Sequence, residues 1–409
     1  MRRHVSVVLA VCLLLTGGCW DRREINELAL VVAVAADVVR EKGQEEVMLT
    51  LQIANPVALL PGQGGGGGGS AAKAFWTITG KGQSVRDASV AMLNKIPKKL
   101  FYGQARVYVI GEDAAKSGIA RFLDRPLRDR STRRNMYLAI ARGSAKQVME
   151  VEMPTFRATG IAISNIFDLE GGHEAILPVT LNDFVYWLST GSTCPVAPAV
   201  LVMPQTSVSS EDLKVPGKTP KAIEVSGLAV FDNKQGRLLG FFNEKETAGL
   251  MWVLGKVKER EITVPCSGGT GKQAVVLTVV KSESRIVVDR DSAGSPVFRV
   301  KIRTLCNLAE NFGSREEAMM PSDLQELEVC ANSCIKQEIM SALHRARVWK
   351  ADVFGFGEEL RRQDPDQWRK LAASWGEMFP GIRVEVETKT TLRQRGLSIE
   401  APGARKGER

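Results

Sequence analysis

Histidines are scarce in this sequence. Only three occur in 409 residues, namely His4, His173 and His344. A HExxH zinc helix needs two histidines on one helical face, and the segment Gly171–Glu174 (GGHE) provides only His173. A Ser-His-Asp triad would depend on His173 or His344, and no G-x-S-x-G motif accompanies either residue. With no catalytic constellation in view, we predict that the protein is not an enzyme.

An apolar run long enough to cross a bilayer is also missing. A membrane-spanning helix needs about 20 consecutive apolar residues. Residues 5–15 form an apolar run of only eleven residues, and the apolar segment 28–39 is interrupted by Asp37. We therefore expect no transmembrane helix in the mature chain.

Two glycine-rich segments lack the residues that a phosphate-binding loop requires. A P-loop continues from its glycines into Gly-Lys-Ser/Thr at fixed spacing. Six glycines at 64–69 are followed by Ser-Ala-Ala-Lys, and the GGTGK sequence at 268–272 is followed by Gln273. We predict a flexible surface loop at 61–72 and a strand-connecting turn at 268–272.

The charge balance argues against a nucleic-acid partner. The chain carries 55 basic and 46 acidic residues, a net charge of +9. The densest basic segment, 121–134 (RFLDRPLRDRSTRR), is broken by acids and by a proline. Nucleic-acid binders usually gather their cations on one face with interleaved aromatic residues. This segment favours a solvated helix end or loop, with a weak attraction to anionic lipid headgroups.

The seven cysteines do not form the pattern of a disulfide framework. Cys12 and Cys19 are near the N-terminus, and the other five are scattered: Cys194, Cys266, Cys306, Cys330 and Cys334. We expect these five to be free thiols, because an odd number in a large chain does not pair. Cys330 and Cys334 share a helical face, but a zinc site needs further ligands. We predict no metal and no cofactor.

The first nineteen residues have the pattern of a lipoprotein signal peptide. A basic start, Met1–His4, precedes the apolar residues 5–15 and the small residues Thr16-Gly17-Gly18. We predict cleavage after residue 18 and lipidation of Cys19, where each buried acyl methylene contributes about 0.8 kcal/mol. Thr16 stands where such signals usually have leucine. The alternative is that Cys19 is the first ordinary cysteine of a secreted protein.

Hydrophobic periodicity predicts an α+β fold with mixed β-sheets packed by helices. In the first half we predict a hairpin (28–39 with 47–54), a strand (75–79), a helix capped by Ser84, and a β-α-β unit (105–111, 112–123, 135–141). In the second half we predict strands at 223–231, 237–242, 274–280, 285–289, 297–304 and 382–386. We also predict a helix capped by Asn243, a long helix after Pro321, and another that begins at Pro365.

Prolines suggest a division of the mature chain. Residues 192–221 contain prolines at 195, 198, 204, 216 and 220, and we expect few regular elements there. The predicted organisation is a signal peptide (1–18), an N-terminal domain (19–200), a linker (201–221), a C-terminal domain (222–397) and a polar tail (398–409).

Two motifs at opposite ends of the chain carry a family resemblance. Residues 19–29 (CWDRREINELA) resemble the mature N-terminus of the Ger(x)C family, the C-subunit lipoproteins of spore germinant receptors. Residues 351–357 (ADVFGFG), with Trp368 and Trp375, are similar to a second signature of that family. The departures from the family are Thr16 and the long glycine loop.

The resemblance implies a function. It implies a non-enzymatic subunit, anchored through Cys19 to the outer face of the inner spore membrane. Its partners would be a membrane-spanning A subunit and a transporter-like B subunit of a receptor that senses small nutrients. The implied fold is α+β in three lobes. The alternative is a lipid-anchored solute-binding protein that contacts the nutrient directly.

The resemblance leaves the roles of the motif residues open. These residues are Asp21, Arg22, Arg23 and Glu24 in the first motif and Asp352, Phe354 and Phe356 in the second. Each set is either a partner contact or a structural motif. For the two phenylalanines we favour core packing, because aromatic residues spaced by turn glycines suit a tightly packed site.

Overall fold

Two mixed β-sheets with helices packed against them form the part of the chain that the structure describes. The computed structural model describes residues 27–41, 43–55, 74–151, 158–169, 176–204, 221–266, 273–311 and 321–394. One sheet has nine strands and the other has four. The predicted α+β class is confirmed.

The larger sheet gathers nine strands from residues 28–242. They are β1 (Leu28–Glu41), β2 (Gln44–Ala54), β3 (Phe75–Gly82), β4 (Lys99–Phe101), β5 (Val107–Gly111), β6 (Tyr137–Ala141), β7 (Val196–Pro204), β8 (Lys221–Phe231) and β9 (Leu238–Phe242). Their order is β3-β2-β1-β5-β6-β7-β8-β9, and β4 pairs with the start of β1. Five strands form a parallel group, namely β1, β4, β5, β6 and β7. The other four strands pair in antiparallel orientation: β2 and β3 beside β1, and β8 and β9 beside β7.

Strand β1 lies at the centre of the larger sheet. Its residues from Val31 to Asp37 are all buried, so the strand has no solvent-facing side over that stretch. Such continuous burial is typical of parallel strands covered on both faces. The hairpin of β1 and β2, predicted from alternation and from the turn at Gly43, is confirmed.

Six helices lie in the described residues of the first half of the chain. They are α1 (Val85–Leu93), α2 (Glu112–Ser117), α3 (Ala120–Arg128), α4 (Ala145–Met149), α5 (Thr159–Asp168) and α6 (Leu181–Thr190). The predicted cap of α1 is confirmed, since Ser84 Oγ accepts the Asp87 backbone N–H at 3.1 Å. The single helix predicted over 112–123 is wrong. Gly118, with φ +110°, breaks it into α2 and α3.

The expectation of few regular elements at 192–221 is wrong for its first part. Strand β7 occupies Val196–Pro204 and pairs with β6 and β8. Proline lacks a backbone N–H, and the strand tolerates it because the ladder with β8 shifts register between Pro198 and Val200. Residues 205–220 lie outside the described part. The linker at 201–221 stays a prediction; β8, on its far side, belongs to the same sheet as β7.

The smaller sheet is formed by the second half of the chain. Its strands are β10 (Glu261–Cys266), β11 (Gln273–Arg290), β12 (Pro296–Asn311) and β13 (Arg383–Gln394), in that spatial order. Two strands were predicted where β11 runs continuously. Within this continuous strand, the pairing with β12 shifts register at Val276/Leu277 and at Val279/Lys281. The predicted closing strand is confirmed as β13.

Two helices connect the sheets. Helix α7 (Glu244–Val253) starts with the predicted capping box of Asn243 and Glu246. Helix α8 (Pro321–Val348) buries its predicted apolar stripe, namely Leu327, Ala331, Ile335, Ile339, Leu343 and Ala346. It packs on α7, β10 and β13. Gly249 of α7 permits the close approach, because a Cβ there would lie 2.1 Å from the Glu338 backbone oxygen.

Three short helices follow α8. They are α9 (Phe356–Gln363), α10 (Pro365–Leu371) and α11 (Trp375–Met378). The helix predicted to begin at Pro365 does begin there, and Asp364 Oδ1 accepts the Gln367 N–H at 3.1 Å. Helix α10 ends at Leu371, because a 3₁₀ turn at Ala372–Ser374 separates it from α11.

Within the described ranges, no helix has the length and apolar character to cross a membrane. Four cysteines there are free thiols: Cys194, Cys306, Cys330 and Cys334.

Candidate functional site at the 351–357 turn

The turn between α8 and α9 is organised by one buried carboxylate. Asp352 is 2% exposed. Its Oδ1 accepts the backbone N–H groups of Gly355 at 3.0 Å and Phe356 at 3.2 Å. Its Oδ2 accepts the Gly357 N–H at 2.7 Å and the indole N–H of Trp375 at 3.0 Å. Asp352 therefore holds the first N–H groups of α9, which have no partner within the helix.

Both glycines of the motif are required by the geometry of this turn. Gly355 has φ +76°, a left-handed conformation that glycine adopts without strain. Gly357 has no room for a side chain. A Cβ there would lie 2.5 Å from the Ser192 backbone oxygen and 2.7 Å from Trp375 Nε1. The D-x-x-G-F-G spacing therefore suits this turn, because Gly355 adopts the left-handed conformation and Gly357 leaves room for the Ser192 backbone.

The two motif phenylalanines lie in the core. Phe354 and Phe356 are 2% and 1% exposed. The Phe356 ring lies 5.0 Å from Phe298 of β12 and 6.4 Å from Phe379, measured between ring centroids. Phe354 stacks on Phe356 at 5.4 Å. The rings offer no exposed surface to a partner.

The turn also joins the two halves of the chain. The Asp352 backbone oxygen accepts the Cys194 N–H at 2.7 Å. Ser192 Oγ donates to Glu358 Oε2 at 2.7 Å, and Glu358 Oε1 lies 3.4 Å from the Tyr186 hydroxyl. Residues after α6 are thereby fixed to the start of α9. The 351–357 turn is a joint between the larger sheet, the smaller sheet and the C-terminal helices.

Burial dominates the electrostatics of the joint. Loss of solvation raises the pKa of Asp352 from 3.8 to about 6, and the four N–H hydrogen bonds oppose that rise. Burial likewise raises the pKa of the Cys194 thiol to about 12. By contrast, the Arg361 guanidinium lowers the pKa of the half-exposed Glu358. These groups act as packing and hydrogen-bonding elements, since neither Asp352 nor Cys194 reaches solvent.

A cavity of about 370 Å³ lies beside the joint, between α6 and β11. Its wall includes Tyr186, Trp187, Phe354 and Arg285. The carboxylates on its rim are already paired. Glu358 binds Arg361 at 2.5 Å and Glu359 binds Arg362 at 2.6 Å. The cavity is open and has a mixed polar and apolar lining, and both of its glutamates are paired with arginines of this chain.

Several predicted site residues lie outside the part of the chain that the structure describes. Cys19, Asp21, Arg22, Arg23 and Glu24 lie outside the described residues, as do His173 and the glycine segments 64–69 and 268–272. Strand β1 begins at Leu28, nine residues after Cys19.

The remaining candidates lie on α8, which carries Cys330, Cys334 and the exposed His344. Within the described ranges, no group of three or more His, Cys, Asp or Glu side chains is placed to hold a metal.

A second buried aspartate was not predicted. Asp37 of β1 is 6% exposed and accepts the N–H groups of Ala145 at 2.7 Å and Lys146 at 2.8 Å, at the start of α4. Ser144 Oγ also donates to it at 3.2 Å. The sequence signal, a single acid inside an apolar strand, does not show which helix the acid contacts.

A partly buried ion pair at the contact of α7, α8 and β10 was also missed. The Glu338 carboxylate of α8 accepts hydrogen bonds from the two terminal guanidinium nitrogens of Arg260, at 2.6 and 2.8 Å. It also accepts the indole N–H of Trp252 at 2.7 Å. Bidentate pairing of this kind fixes orientation as well as charge. The network holds the two helices in register, and the Arg260 Nε atom has no hydrogen-bond partner among the described residues.

The architecture is that of an α+β protein with two mixed sheets, and a solved structure shares this fold. The crystal structure of the GerBC protein superposes with a TM-score of 0.55 at 19% identity, covering 91% of this chain and 99% of that one. That likeness shows the fold.

Two family models match the sequence itself. The spore germination protein N-terminal domain matches residues 21–202, and the "spore germination B3/GerAC like, C-terminal" model matches residues 226–396. The chain belongs to the GerAC-like family of spore germination proteins.

Relatives over the full length agree with this membership. The chain is 27% identical to spore germination protein KC of Bacillus subtilis (strain 168), over 96% of both chains. It is 24% identical to spore germination protein B3 of the same organism, over 91% of both. The family and these relatives support a role in spore germination, and the predicted family resemblance is confirmed.

Proposed function

We propose that this protein is a lipid-anchored, non-enzymatic subunit of a spore germinant receptor. It would be attached through Cys19 to the outer face of the inner spore membrane. There it would support nutrient-triggered germination by binding the membrane-embedded A and B subunits. The observation that carries the proposal is the pair of family matches, which together extend from residue 21 to residue 396.

The proposed anchor is supported by the position of Cys19. It follows an eleven-residue apolar run and three small residues, and the family match begins two residues after it. Cleavage before Cys19 would leave the acylated cysteine as the first residue of a mature chain that starts where the family domain starts. Two or three acyl chains on one residue give stable attachment, whereas one chain gives only marginal binding.

Cys19→Ala tests the anchor. We expect this variant to leave the membrane fraction and the spores to lose most of their response to nutrient. Cys12→Ala is the matched control, because it removes a cysteine from the discarded segment and should change neither readout. Membrane retention and normal germination of the Cys19→Ala spores would contradict the proposal.

Co-purification tests the partners. Detergent extracts of spores that carry an affinity tag on this subunit should yield the A and B subunits. The matched sample is the Cys19→Ala strain, in which recovery of both partners should fall. Recovery of neither partner from the unmodified strain would sink the receptor-subunit proposal.

The alternative, direct binding of a nutrient, would need a ligand site with unused polar groups. The cavity beside the 351–357 joint is large enough for a small solute, but its two glutamates are paired with arginines of the same helix. We therefore retain the receptor-subunit proposal. Saturable binding of radiolabelled germinant to the isolated mature chain would favour the alternative.

A further inference from the structure

One end of the larger sheet is strongly basic. In the parallel group the strands β1, β4, β5 and β6 all start at this end. The segments that lead into these strands bring together cations that are far apart in sequence. The six exposed ones are Lys98, Lys99, Arg106, Arg130, Arg133 and Arg134. We call this set the basic edge.

Backbone contacts fix the basic edge to the starts of the strands. Lys99 pairs with Leu28, the first residue of β1. The Arg106 N–H donates to the Val32 oxygen at 2.9 Å, and the Arg106 oxygen accepts the Tyr137 N–H at 2.9 Å. The oxygen of Arg133 accepts the Met136 N–H at 3.3 Å, immediately before β6. The basic edge is therefore part of the rigid sheet boundary.

The cations of the basic edge are not neutralised by described acids. The arginines just before them are paired, since Arg121 binds Glu45, Arg125 binds Asp129 and Arg128 binds Asp124. None of the six members makes an ion pair or side-chain hydrogen bond within the described ranges.

Most acids at this end of the sheet already accept hydrogen bonds from other side chains or from the backbone. Asp129 accepts from Ser131 and Arg125, Asp168 accepts the Tyr137 hydroxyl at 2.6 Å, and Asp183 closes the cap of α6. Glu27 is exposed and directly precedes β1. Two exposed carboxylates, Glu27 and Asp168, thus lie at the same end as six exposed cations, and Asp168 already accepts the Tyr137 hydroxyl.

The chain enters the sheet at this same end. Nine residues separate Cys19 from Leu28, a span of about 30 Å when fully extended. If Cys19 carries the lipid, the membrane surface lies within that distance of the start of β1. Trp76, which is 40% exposed, lies on the edge strand β3 opposite Ile53, and Ile53 pairs with Val31 of β1. Tryptophan is favoured at membrane–water interfaces.

We propose that the basic edge binds the anionic phospholipid headgroups of the membrane and holds the larger sheet with the starts of β1, β5 and β6 toward the lipid. Charge complementarity supports this, because basic clusters near an anionic leaflet are attracted within a Debye length of about 8–10 Å. The lipid on Cys19 supplies attachment, and the basic edge supplies orientation. This inference rests on the proposed anchor.

Vesicle binding without the lipid tests the basic edge. The probe is the full mature chain, residues 19–409, carrying Cys19→Ala. It should cosediment with vesicles of phosphatidylcholine and phosphatidylglycerol at least about tenfold more strongly than with phosphatidylcholine alone. Binding should weaken steeply as salt is raised.

Charge removal locates the binding. The triple variant Lys98→Ala/Lys99→Ala/Arg106→Ala, and the triple variant Arg130→Ala/Arg133→Ala/Arg134→Ala, should each reduce binding to anionic vesicles by about tenfold or more. The matched control is Arg285→Ala/Arg303→Ala/Lys389→Ala. It removes the same charge from three exposed positions on the strands of the smaller sheet and should bind like the parent.

Three results would overturn the inference. These are equal binding to neutral vesicles, an equal loss in the control variant, or binding that needs the membrane-embedded receptor subunits rather than lipid. Because the probe lacks the acyl chains, a negative result here leaves the anchor at Cys19 standing. Conversely, if Cys19→Ala spores retain the protein on the membrane, the anchor proposal fails, but binding of the unlipidated chain to anionic vesicles can still be observed.

Discussion

Asp37, in the centre of the larger sheet, and Asp352, in the joint after α8, are both buried carboxylates that hold the start of a helix. Asp37 accepts two backbone N–H groups and one serine hydroxyl, and its partners lie 107–109 residues away. Asp352 accepts three backbone N–H groups within five residues and one indole N–H. The first carboxylate connects distant parts of the chain, and the second organises a local turn.

The difference explains why one aspartate is part of a readable motif and the other is not. The local turn around Asp352 demands Gly355, Gly357 and Trp375 at fixed spacings, so the whole pattern appears in the sequence. Asp37 needs only a helix start at the right place in space, which many sequences can provide. Burial raises the pKa of both carboxyls above 3.8, so the protein accepts the cost of desolvation at each site.

Removing the Asp352 carboxylate should have the largest effect. Asp352→Ala leaves four buried N–H donors without an acceptor, and we expect a loss of about 4 kcal/mol in the free energy of unfolding. Chemical denaturation followed by circular dichroism measures it. Asp366→Ala, at an exposed ion pair with Arg369, is the control and should change stability by less than about 0.5 kcal/mol. Equal losses in the two variants would contradict the structural role of Asp352.

Adding one methyl group at Gly357 should come next. Gly357→Ala would force a Cβ to within 2.5 Å of the Ser192 backbone oxygen, and overpacking of this kind costs about 1–3 kcal/mol. Gly381→Ala is the matched control, because nothing lies within 4 Å of a Cβ there. The thermal midpoint of each variant distinguishes them. A Gly357→Ala protein as stable as Gly381→Ala would show that the turn is not tightly packed.

The distant carboxylate should matter less. Asp37→Ala removes the acceptor for the first N–H groups of α4, and we expect a loss of about 2 kcal/mol. Hydrogen exchange should rise most at Ala145 and Lys146. Asp124→Ala, an exposed partner of Arg128, serves as the reference. A loss as large as that of Asp352→Ala would erase the proposed difference between the two sites.

The smallest effect is a pH dependence that originates at Asp352. Its pKa is about 6 in the folded protein against 3.8 for an ordinary aspartate. The folded state therefore binds this proton more tightly, and the stability that it contributes is complete below pH 3.8 and lost as pH rises through about 6. Carboxyl ¹³C NMR, assigned with Asp352→Asn, should show one aspartate titrating near pH 6. Titration of that resonance near pH 4 would contradict the assignment.

Local patterns in the sequence predicted a large part of the fold. The hairpin of β1 and β2, the caps at Ser84 and Asn243 and the buried stripe of α8 all depend on residues close together in the chain. Each was correctly predicted for that reason. The pairing of β7 with β8 was not, because prolines suggested a break where the sheet uses a register shift instead.

The candidate sites divide in the same way. The 351–357 motif could be recognised in the sequence because its pattern is contiguous. The role of Asp352 in the turn and the contacts with Ser192 and Cys194 could not be predicted, because they depend on the folded structure. Half of the basic edge, Arg130, Arg133 and Arg134, was visible in the sequence as part of the basic segment 121–134. Its union with Lys98, Lys99 and Arg106 was not, because only the parallel strand order brings these three segments to one end. Long-range placement is what the sequence alone did not supply.

Mass spectrometry of the protein purified from spore membranes is the decisive test of the lipid anchor. We expect the N-terminal peptide to begin at Cys19 and to carry a diacylglyceryl group on its sulfur, with the WDRRE sequence following. An N-terminal peptide that starts elsewhere, or an unmodified Cys19 thiol, would contradict the lipid-anchored receptor subunit.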